Sequence, residues 1–375
     1  MQEWLSQLRA QGNKDYSKNE WPAHADSPLQ RNYTAEGDFE PGKYSGGAKA
    51  KTKVSLKTKG GVQACTLAEL KGKDLELFKE KFGKIVGERA HKLLALKNGF
   101  LENGFLIRFP DESEGSVEIT CAAQGGVAGM HGIVIVGKNA KAGIVQKQAG
   151  HDALVAEATE VYCGEGSTLA FDYEQNAGFD CAVFTAKKAA LRKNARLIWN
   201  SALFGAKTTS ATIDSSLEGE GAHAENYNAY FGKEKQCFDV STNSYHSTAN
   251  TSGNVLSKGV LAGEAQATYR GLIYIAKQAR GTNCFLNGHA LLLSEKAKAN
   301  SVPSLEIHTN DVQSRHGATV DQIDSEKIFY LQTRGLSKKQ ATQTIVEGFV
   351  GEALEKSNSA LSGWREILSE RMQNV

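Results

Sequence analysis

Proline is scarce in this chain, with 5 in 375 residues, so polyproline spacers and collagen-like or proline-rich low-complexity architectures are excluded. Cysteine is thinly spread. Cys65, Cys121, Cys163, Cys181, Cys237 and Cys284 lie singly, with no CxxC pair, which excludes a zinc-ribbon motif and a small disulfide framework. No run of roughly 18 apolar residues occurs, so no membrane-spanning helix is expected. An excess of one charge is also lacking: 44 basic against 42 acidic residues leave +2, and the totals show no basic signature of a nucleic-acid binder. The opening "MQEWLSQLRAQGNK" has no apolar core followed by a small-residue cleavage site, so no secretory signal is read there. Free thiols without such a signal fit a reducing compartment, and a soluble cytoplasmic protein is the expectation. Phosphate-loop, G-x-S-x-G and H-E-x-x-H motifs are absent, which removes the commonest nucleotide, acyl-transfer and zinc-protease readings.

Glycine, in contrast, is plentiful at 38 residues, about one in ten, against a usual share of roughly 7%. Many tight turns and few rigid ones point to many short strands. From about Ser116 the segments "SVEITCA", "GIVIVG", "AGIVQKQ", "ATEVYCG", "STLAFDY", "FDCAVFTA" and "ARLIWNSALFG" follow one another, each bounded by turn residues. No helix of a dozen residues separates them between 116 and 320, which argues against a doubly wound nucleotide-binding sheet.

The segments repeat. "GKNAKAGIV", "GEGSTLAFD", "RKNARLIWN" and "GEGAHAENY" begin alike, and Ala140, Ser167, Ala195 and Ala222 stand 27, 28 and 27 residues apart. Further on, Ala265, Ala279 and Ala297 are 14 and 18 apart, near a half-period. A fixed period built of strands marks a solenoid, in which each coil buries its inner face only against the next. A β-sandwich is the competing reading of the same short strands.

Outside the repeat, residues 1–60 read as a short helix followed by an extended arm with isolated aromatics (Trp4, Tyr16, Trp21, Tyr33, Tyr44). "KYSGGAKAKTKVSLKTK" (Lys43–Lys59) is the one locally basic stretch, read as a solvated, mobile segment in preference to a phosphate site. Asp74–Phe100 has helical spacing through Leu75, Leu77, Phe78, Phe82, Ile85 and Val86, then Leu93 and Leu94. "ENGF" from Glu102 predicts a hairpin turn. After Asp324 or Ser325, a cap for "EKIFYLQTR", the chain turns helical. Gly335 is the expected left-handed stop, and Ser337 with Gln340 forms a capping box. Ile345, Val346, Phe349, Val350, Ala353 and Leu354 make a wide stripe, and a third helix is expected around Trp364, Ile367, Leu368 and Met372. The stripe must be covered, by the last coil or by another protein.

Among the histidines, His223, His246, His289, His308 and His316 fall in the repeat region, where imidazoles can gather as metal ligands or serve as turn and surface residues. His316 stands out because it lies at the strand-to-helix junction, where side chains converge. A polysaccharide-processing β-helix would need clustered carboxylates, and none is evident.

"SRHGATVDQIDSEKIFYLQTRGLSKKQA" (Ser314–Ala341) resembles the carboxy-terminal signature of the SufB/SufD family of SUF iron–sulfur cluster assembly proteins. "TYRGLIYIAKQARGTNCFLNGHALLLSEKAKANSVPSLEI" (Thr268–Ile307), "SLEGEGAHAENYNAYF", "KGVL" and "NARLIWNSALFGAKTTS" extend the resemblance in order over about Leu93–Leu354. It implies a mainly β protein: a right-handed parallel β-helix core (111–322) flanked by an N-terminal helical and extended region (1–110) and a C-terminal helical domain (323–375).

It also implies a non-catalytic scaffold that pairs with a SufB-type subunit or a second copy of itself. The family binds the SufC-type ABC ATPase through its C-terminal helices, here around Phe329, Tyr330, Arg334, Ile345 and Phe349. Leu286-Asn287-Gly288-His289 lacks the SufB-type cysteine, and Gly317 follows His316, both as in SufD. The SufD pattern C-S-H-G-A-T reads Ser314-Arg315-His316-Gly317-Ala318-Thr319 here. The histidine implicated in cluster assembly is thus retained at His316 while the cysteine is Ser314, a poor ligand for soft metals. Cys284, in a neighbouring coil, is the weaker second candidate. No tightly bound cofactor is expected, only a transient cluster or iron at a subunit interface, and neither nucleic acid nor membrane is a partner. The alternatives are an undifferentiated homodimeric SufB/SufD homologue and a β-solenoid interaction protein without a metal role.

Overall fold

The chain winds into a solenoid with two strands and two corners per coil. The computed structural model describes residues 1–19, 34, 36–87, 92–356 and 363–373. In chain order the elements are α1 (Gln2–Lys18), β1 (Lys51–Gly60), β2 (Gln63–Thr66), α2 (Gly72–Lys81), α3 (Lys92–Gly99) and β3 (Leu101–Phe109). The solenoid continues with β4 (Glu114–Val136), β5 (Lys141–Cys163), β6 (Thr168–Gln175), β7 (Ala182–Leu191), β8 (Arg196–Leu203), β9 (Thr208–Leu217) and β10 (His223–Gly232). Then come β11 (Cys237–His246), β12 (Ser252–Leu261), β13 (Gln266–Ile275), β14 (Thr282–Leu292), β15 (Lys298–Ile307) and β16 (Val312–Gln322). Three helices follow: α4 (Ser325–Thr333), α5 (Lys338–Leu354) and α6 (Trp364–Arg371).

From β6 onward, even-numbered strands stack in parallel on one face and odd-numbered strands on the other; the long β4 and β5 bend across both. The result is a parallel β-helix of about 8 turns, and the sandwich reading is set aside. Lys141, Thr168, Arg196, His223, Ser252, Asn283 and Gln313 form one register row, spaced 27, 28, 27, 29, 31 and 30 residues apart.

The repeat visible in the sequence is the corner before that row. Ala140, Ser167, Ala195 and Ala222 are each fully buried, where only a small side chain fits against the turn. One residue further back the backbone is left-handed at every coil of that row but the last: Asn139, Gly166, Asn194, Gly221, Asn250 and Gly281 have φ of 54, 67, 55, 72, 58 and 69°. Asparagine and glycine tolerate that conformation best. They alternate because each asparagine side chain lies over the next glycine: a Cβ on Gly166, Gly221 or Gly281 would collide with Oδ1 of Asn139, Asn194 or Asn250. Ala265 and Ala297 precede β13 and β15 on one face and Ala279 precedes β14 on the other, which explains the half-period.

The N-terminal layer covers the outer face of the first odd-face rungs. Phe39, Tyr44, Leu93, Leu94 and Leu96 pack on Leu154, Ala156, Ala158 and Phe184. Asp38 fastens the arm: its carboxylate accepts from Lys207 Nζ (2.9 Å) and Thr208 Oγ1 (2.6 Å). Buried Glu160 accepts backbone N–H bonds from Gly83 (2.6 Å) and Ile85 (2.6 Å), tying the segment after α2 to β5.

Three expectations are corrected. Lys51–Gly60 is a strand, antiparallel to β4, held because Val54 and Leu56 point onto the core while the lysines face out. Asn103-Gly104 is no turn but lies inside β3, where glycine is required because a Cβ would strike the His131 carbonyl. The helix read over Asp74–Phe100 is two helices, interrupted at Gly83 and Gly87, whose φ of 70 and 78° no helix accommodates. Residues 88–91 of that stretch, and the part of the arm over 20–33 with Trp21 and Tyr33, lie outside the described residues.

The C-terminal helices lie along the flank of the even face and leave the last coil uncovered. Val346, Val350, Leu354, Trp364 and Leu368 pack on Phe204, Phe231, Val260 and Leu291, and burying each such side chain stabilises by about 1.5–3 kcal/mol. Asn200 Nδ2 donates to the Leu354 carbonyl (3.1 Å), satisfying an orphan acceptor at the end of α5. Asp324 caps α4 through the Glu326 N–H (2.9 Å), and the Ser337–Gln340 box opens α5. Gly335 takes φ 94° as the left-handed stop. No helix among the described residues is long and apolar enough to cross a membrane.

Candidate functional site at the open end of the solenoid

The two ends of the solenoid differ. At the N-terminal end β1 and β2 run antiparallel to the first rungs and cover the core with side chains such as Val54 and Leu56, while the outer edge of β1 stays unpaired. At the C-terminal end β15 pairs only with β13 and β16 only with β14, so both present free edges. The inward-pointing row of the last rung is therefore only partly covered: Ala299, Leu305 and Val312 still pack on the core. Ile307 (39% exposed) and Val320 (42% exposed) occupy positions that in the preceding rung belong to buried Ile275 and Ala290. Pro303 sits on β15, at an edge, where a strand tolerates a missing N–H.

His316 belongs to this row. It stands opposite buried Leu286 and is exposed because no further coil covers it. Two residues earlier, Ser314 stands opposite Cys284, and the thiol donates to the serine hydroxyl across 3.5 Å. Burial pushes the Cys284 thiol above its usual range, and the Ser314 hydrogen bond only partly opposes this. The open end thus combines a solvent-facing imidazole with a protonated thiol one rung inward. Among the described residues, no three His, Cys, Asp or Glu side chains gather as a metal cage, and the five histidines of the repeat region are dispersed over both faces.

The outward side of the same strands is built as a tether. Arg315 lies over the Phe285 ring at 4.6 Å, and His289 Nδ1 meets Thr319 Oγ1 at 2.8 Å. Lys258, only 8% exposed, pairs with Glu352 of α5 at 2.7 Å and lies 4.5 Å over the Phe349 ring. Burial, and then the Lys258 charge, hold His289 below its usual range. Lys258 and Glu352 were not singled out in the sequence; they lie 94 positions apart, and no local pattern joins them.

Only Ile323 and Asp324 separate β16 from α4. Ile328 anchors α4 and is buried, while Phe329 (68% exposed) and Tyr330 (57% exposed) project into solvent. Arg334 stacks over Tyr330 at 5.2 Å and donates to its hydroxyl at 3.3 Å. Ile345 and Phe349 are half-buried against the flank. Two adjacent exposed aromatics, held by an arginine on a short anchored helix, form an apolar surface of the kind that contacts proteins.

Residues 119–349, more than half of the chain, match the family described as SUF system FeS cluster assembly, SufBD core domain. The chain belongs to the SufBD family. It is similar to the iron–sulfur cluster assembly protein SufB of Bacillus subtilis (strain 168), 24% identical over 314 residues, covering 80% of this chain and 66% of that protein. It is similar in the same degree to an iron–sulfur cluster assembly SufBD family protein of Staphylococcus aureus (strain MRSA252), 24% identical over 291 residues, 73% of this chain and 61% of the relative. A SufBD family protein of Staphylococcus haemolyticus gives the same 24% over 291 residues. The chain therefore spans just under two thirds of the length of these relatives. The SufBD match covers β4 to the middle of α5, and so includes both the open end and the tether to the helices.

Proposed function

We propose that this chain is a SufD-like scaffold subunit of an iron–sulfur cluster assembly complex, pairing through its open end and binding a SufC-type ABC ATPase through α4 and α5. The observation that carries the reading is the asymmetry of the solenoid. Its first rungs are covered by antiparallel strands that turn Val54 and Leu56 onto the core, while the last rung leaves apolar Ile307 and Val320 exposed beside His316. Unpaired edges and exposed apolar side chains on a soluble β-helix are removed by a partner.

The cluster is cargo in this reading, with no resident cofactor. Cys284 and His316 offer one soft and one borderline donor, Ser314 is a poor one, and iron–sulfur clusters are held by several such ligands. The remaining ligands come from the partner facing the open end, a SufB-type subunit or a second copy. Gly317 after His316, and the lack of cysteine in Leu286-Asn287-Gly288-His289, support the SufD-like assignment. The chain itself acts as a positioning surface without turnover, in the cytoplasm, and ATP hydrolysis belongs to the ATPase. Partner binding at Phe329, Tyr330 and Arg334 would pull on β16 through the two-residue connection, and a ligand acts only through such differential contact with two states.

The test is co-purification with a SufC-type ATPase and a SufB-type subunit. The full chain is expected to hold the ATPase, and Phe329→Ala with Tyr330→Ala to lose it. His316→Ala is expected to keep the complex but fail to develop iron–sulfur absorbance on anaerobic reconstitution. Retention of the ATPase by the aromatic variant, or unchanged cluster formation by His316→Ala, overturns the corresponding assignment. Cluster formation by the chain with only itself as partner replaces the heteromeric reading with the homodimeric one.

A further inference from the structure

The first rungs of the even face carry a concentration of charge that neither the open end nor the docking helices use. Lys51, Lys53, Lys57 and Lys59 alternate along β1, on the side opposite Val54 and Leu56, which pack on the core. The face continues across β4 to Lys141 and Lys147 on β5, two rungs away. Against these six lysines the outward positions of β1, β4 and β5 hold only exposed Glu114 and half-buried Glu118 as carboxylates, with Glu118 3.9 Å from Lys57, and on the next strand Glu174 is largely buried beside Lys147. No salt bridge among the described residues engages Lys51, Lys53, Lys59 or Lys141. A shallow hollow lined by Lys51, Lys53, Gln124 and His151 opens on this face.

Lysines on a terminal strand are one way of preventing edge-to-edge aggregation. That explanation stops at β1. Lys141 and Lys147 lie on a strand paired on both sides, where no edge needs protection. The charge therefore belongs to the face. The outward positions of β1, β4 and β5 contain no arginine and no aromatic ring other than His151, so they offer neither the bidentate fork nor the row of stacking platforms that nucleic-acid surfaces use. Apart from Val145 they contain no sizeable apolar side chain to enter a membrane. They do offer an extended strand with a cation at alternate positions and one free row of backbone donors and acceptors.

We propose that β1 and the adjoining lysine face form a docking surface for an extended acidic segment of another protein, added as a strand along the β1 edge with its carboxylates over Lys51, Lys53, Lys57 and Lys59. Strand addition supplies main-chain hydrogen bonds, and alternate side chains supply selectivity. At roughly 3.4 Å per residue, Lys51 to Lys59 spans about 27 Å, the length of an extended segment of about nine residues. The surface lies at the opposite end of the solenoid from His316 and does not depend on the roles assigned there.

The test is fluorescence anisotropy on the full chain with a labelled peptide of alternating Glu and Thr, about ten residues long. The same peptide with Lys for Glu, an oligothymidylate of similar charge and vesicles of phosphatidylcholine with phosphatidylserine serve as comparisons. The acidic peptide is expected to bind, to weaken steeply as salt shortens the screening length, and to slow amide exchange over Lys51–Gly60. Lys53→Glu with Lys59→Glu is expected to weaken it by at least about tenfold with unchanged melting temperature, as for a steered charged contact. The neutral pair Lys53→Gln and Lys59→Gln gives a smaller loss and serves if charge reversal disturbs the strand. The proposal is overturned by no binding at low salt or by equal binding to the charge-reversed chain. Tighter binding of the oligothymidylate or the vesicles than of the peptide overturns it too.

Discussion

Cys284 and Ser314 face each other on adjacent rungs, 3.5 Å from sulfur to oxygen, where the SufD pattern would place a cysteine at position 314. The thiol has not vanished from this region; it stands one coil inward and is buried. Burial raises its pKa, so alkylation by iodoacetamide should follow a pH–rate profile centred above the ordinary thiol value of about 8.5. Ser314→Ala removes the hydroxyl that turns to donate to the thiolate once the proton leaves, and should move the midpoint higher still. Peptide mass spectrometry across a pH series measures it, and a midpoint at or below the ordinary value would mean that solvent already reaches the sulfur.

Inside the first coils Lys187 is fully buried, with Nζ 2.8 Å from Glu157 and 2.8 Å from Gln146. Burial alone would push the Glu157 carboxyl up, but the Lys187 charge and hydrogen bond, aided by Gln146 and Thr159, hold it below the usual range. Lys187→Met leaves an uncompensated buried carboxylate and should cost about 3–5 kcal/mol in urea unfolding at neutral pH. Adding Glu157→Gln should return most of that loss, because both charges are then gone. The cost of the single variant should also shrink as pH falls and the stranded carboxyl takes up a proton. A double variant as unstable as the single one would show that packing, not charge, sets the cost.

The solenoid was legible in the sequence because its corners are chemically demanding. Ala140, Ser167, Ala195 and Ala222 must be small, and Asn139, Gly166, Asn194 and Gly221 must accept positive φ, so the period is printed in residue types. What depends on contacts across coils was not legible. Ser314 meets Cys284 because the late coils lengthen to 30 and 31 residues, which the 27-residue early period does not foretell. The apolar stripe of α5 was plain, yet nothing local tells the flank of β8, β10 and β12 from the end of the last coil. At "KTKVSLKTK" the alternation of Val54 and Leu56 with lysines was a readable strand signal, outweighed by the charge of the segment. At Asn103-Gly104 a turn dipeptide was used instead for close backbone approach to His131, a demand that belongs to the partner strand.

The alternation of asparagine and glycine along the corner gives a direct test. Gly221→Ala forces a Cβ into the left-handed region at φ 72° and against Asn194 Oδ1. The expected loss is about 1–3 kcal/mol, seen as a lower melting temperature. Asn194→Gly in the same chain removes the collision but not the backbone strain and should recover part of the loss. Recovery of the whole would show that the corner tolerates alanine once the neighbour is small.

Stability should also fall in mild acid, through His131. This imidazole is fully buried, with Lys97 Nζ 2.6 Å from Nδ1 and the Glu160 carboxylate 2.9 Å from Nε2. The geometry fits the neutral tautomer with the proton on Nε2: it donates to Glu160 and leaves Nδ1 to accept from Lys97. Phe82 stacks on the ring at 4.0 Å. Burial, and then the Lys97 charge, lower its pKa from 6.5 to about 4, outweighing Glu160. The folded state therefore refuses a proton that the unfolded chain accepts between those values. The stability from keeping the ring neutral is whole above pH 6.5, erodes as pH falls, and is spent near pH 4; an interval of that size corresponds to about 3 kcal/mol. His246, also lowered to about 4, adds a slope of the same sign, so the decisive quantity is a difference between chains. His131→Gln keeps a donor for Glu160 and an acceptor for Lys97 but cannot titrate. Urea unfolding at pH 7.5 and pH 5 should show the wild type losing more stability between the two than this variant. Equal losses would mean that His131 is protonated in the folded state, and that the Lys97–His131–Glu160 chain does not hold the N-terminal layer in the way its geometry implies.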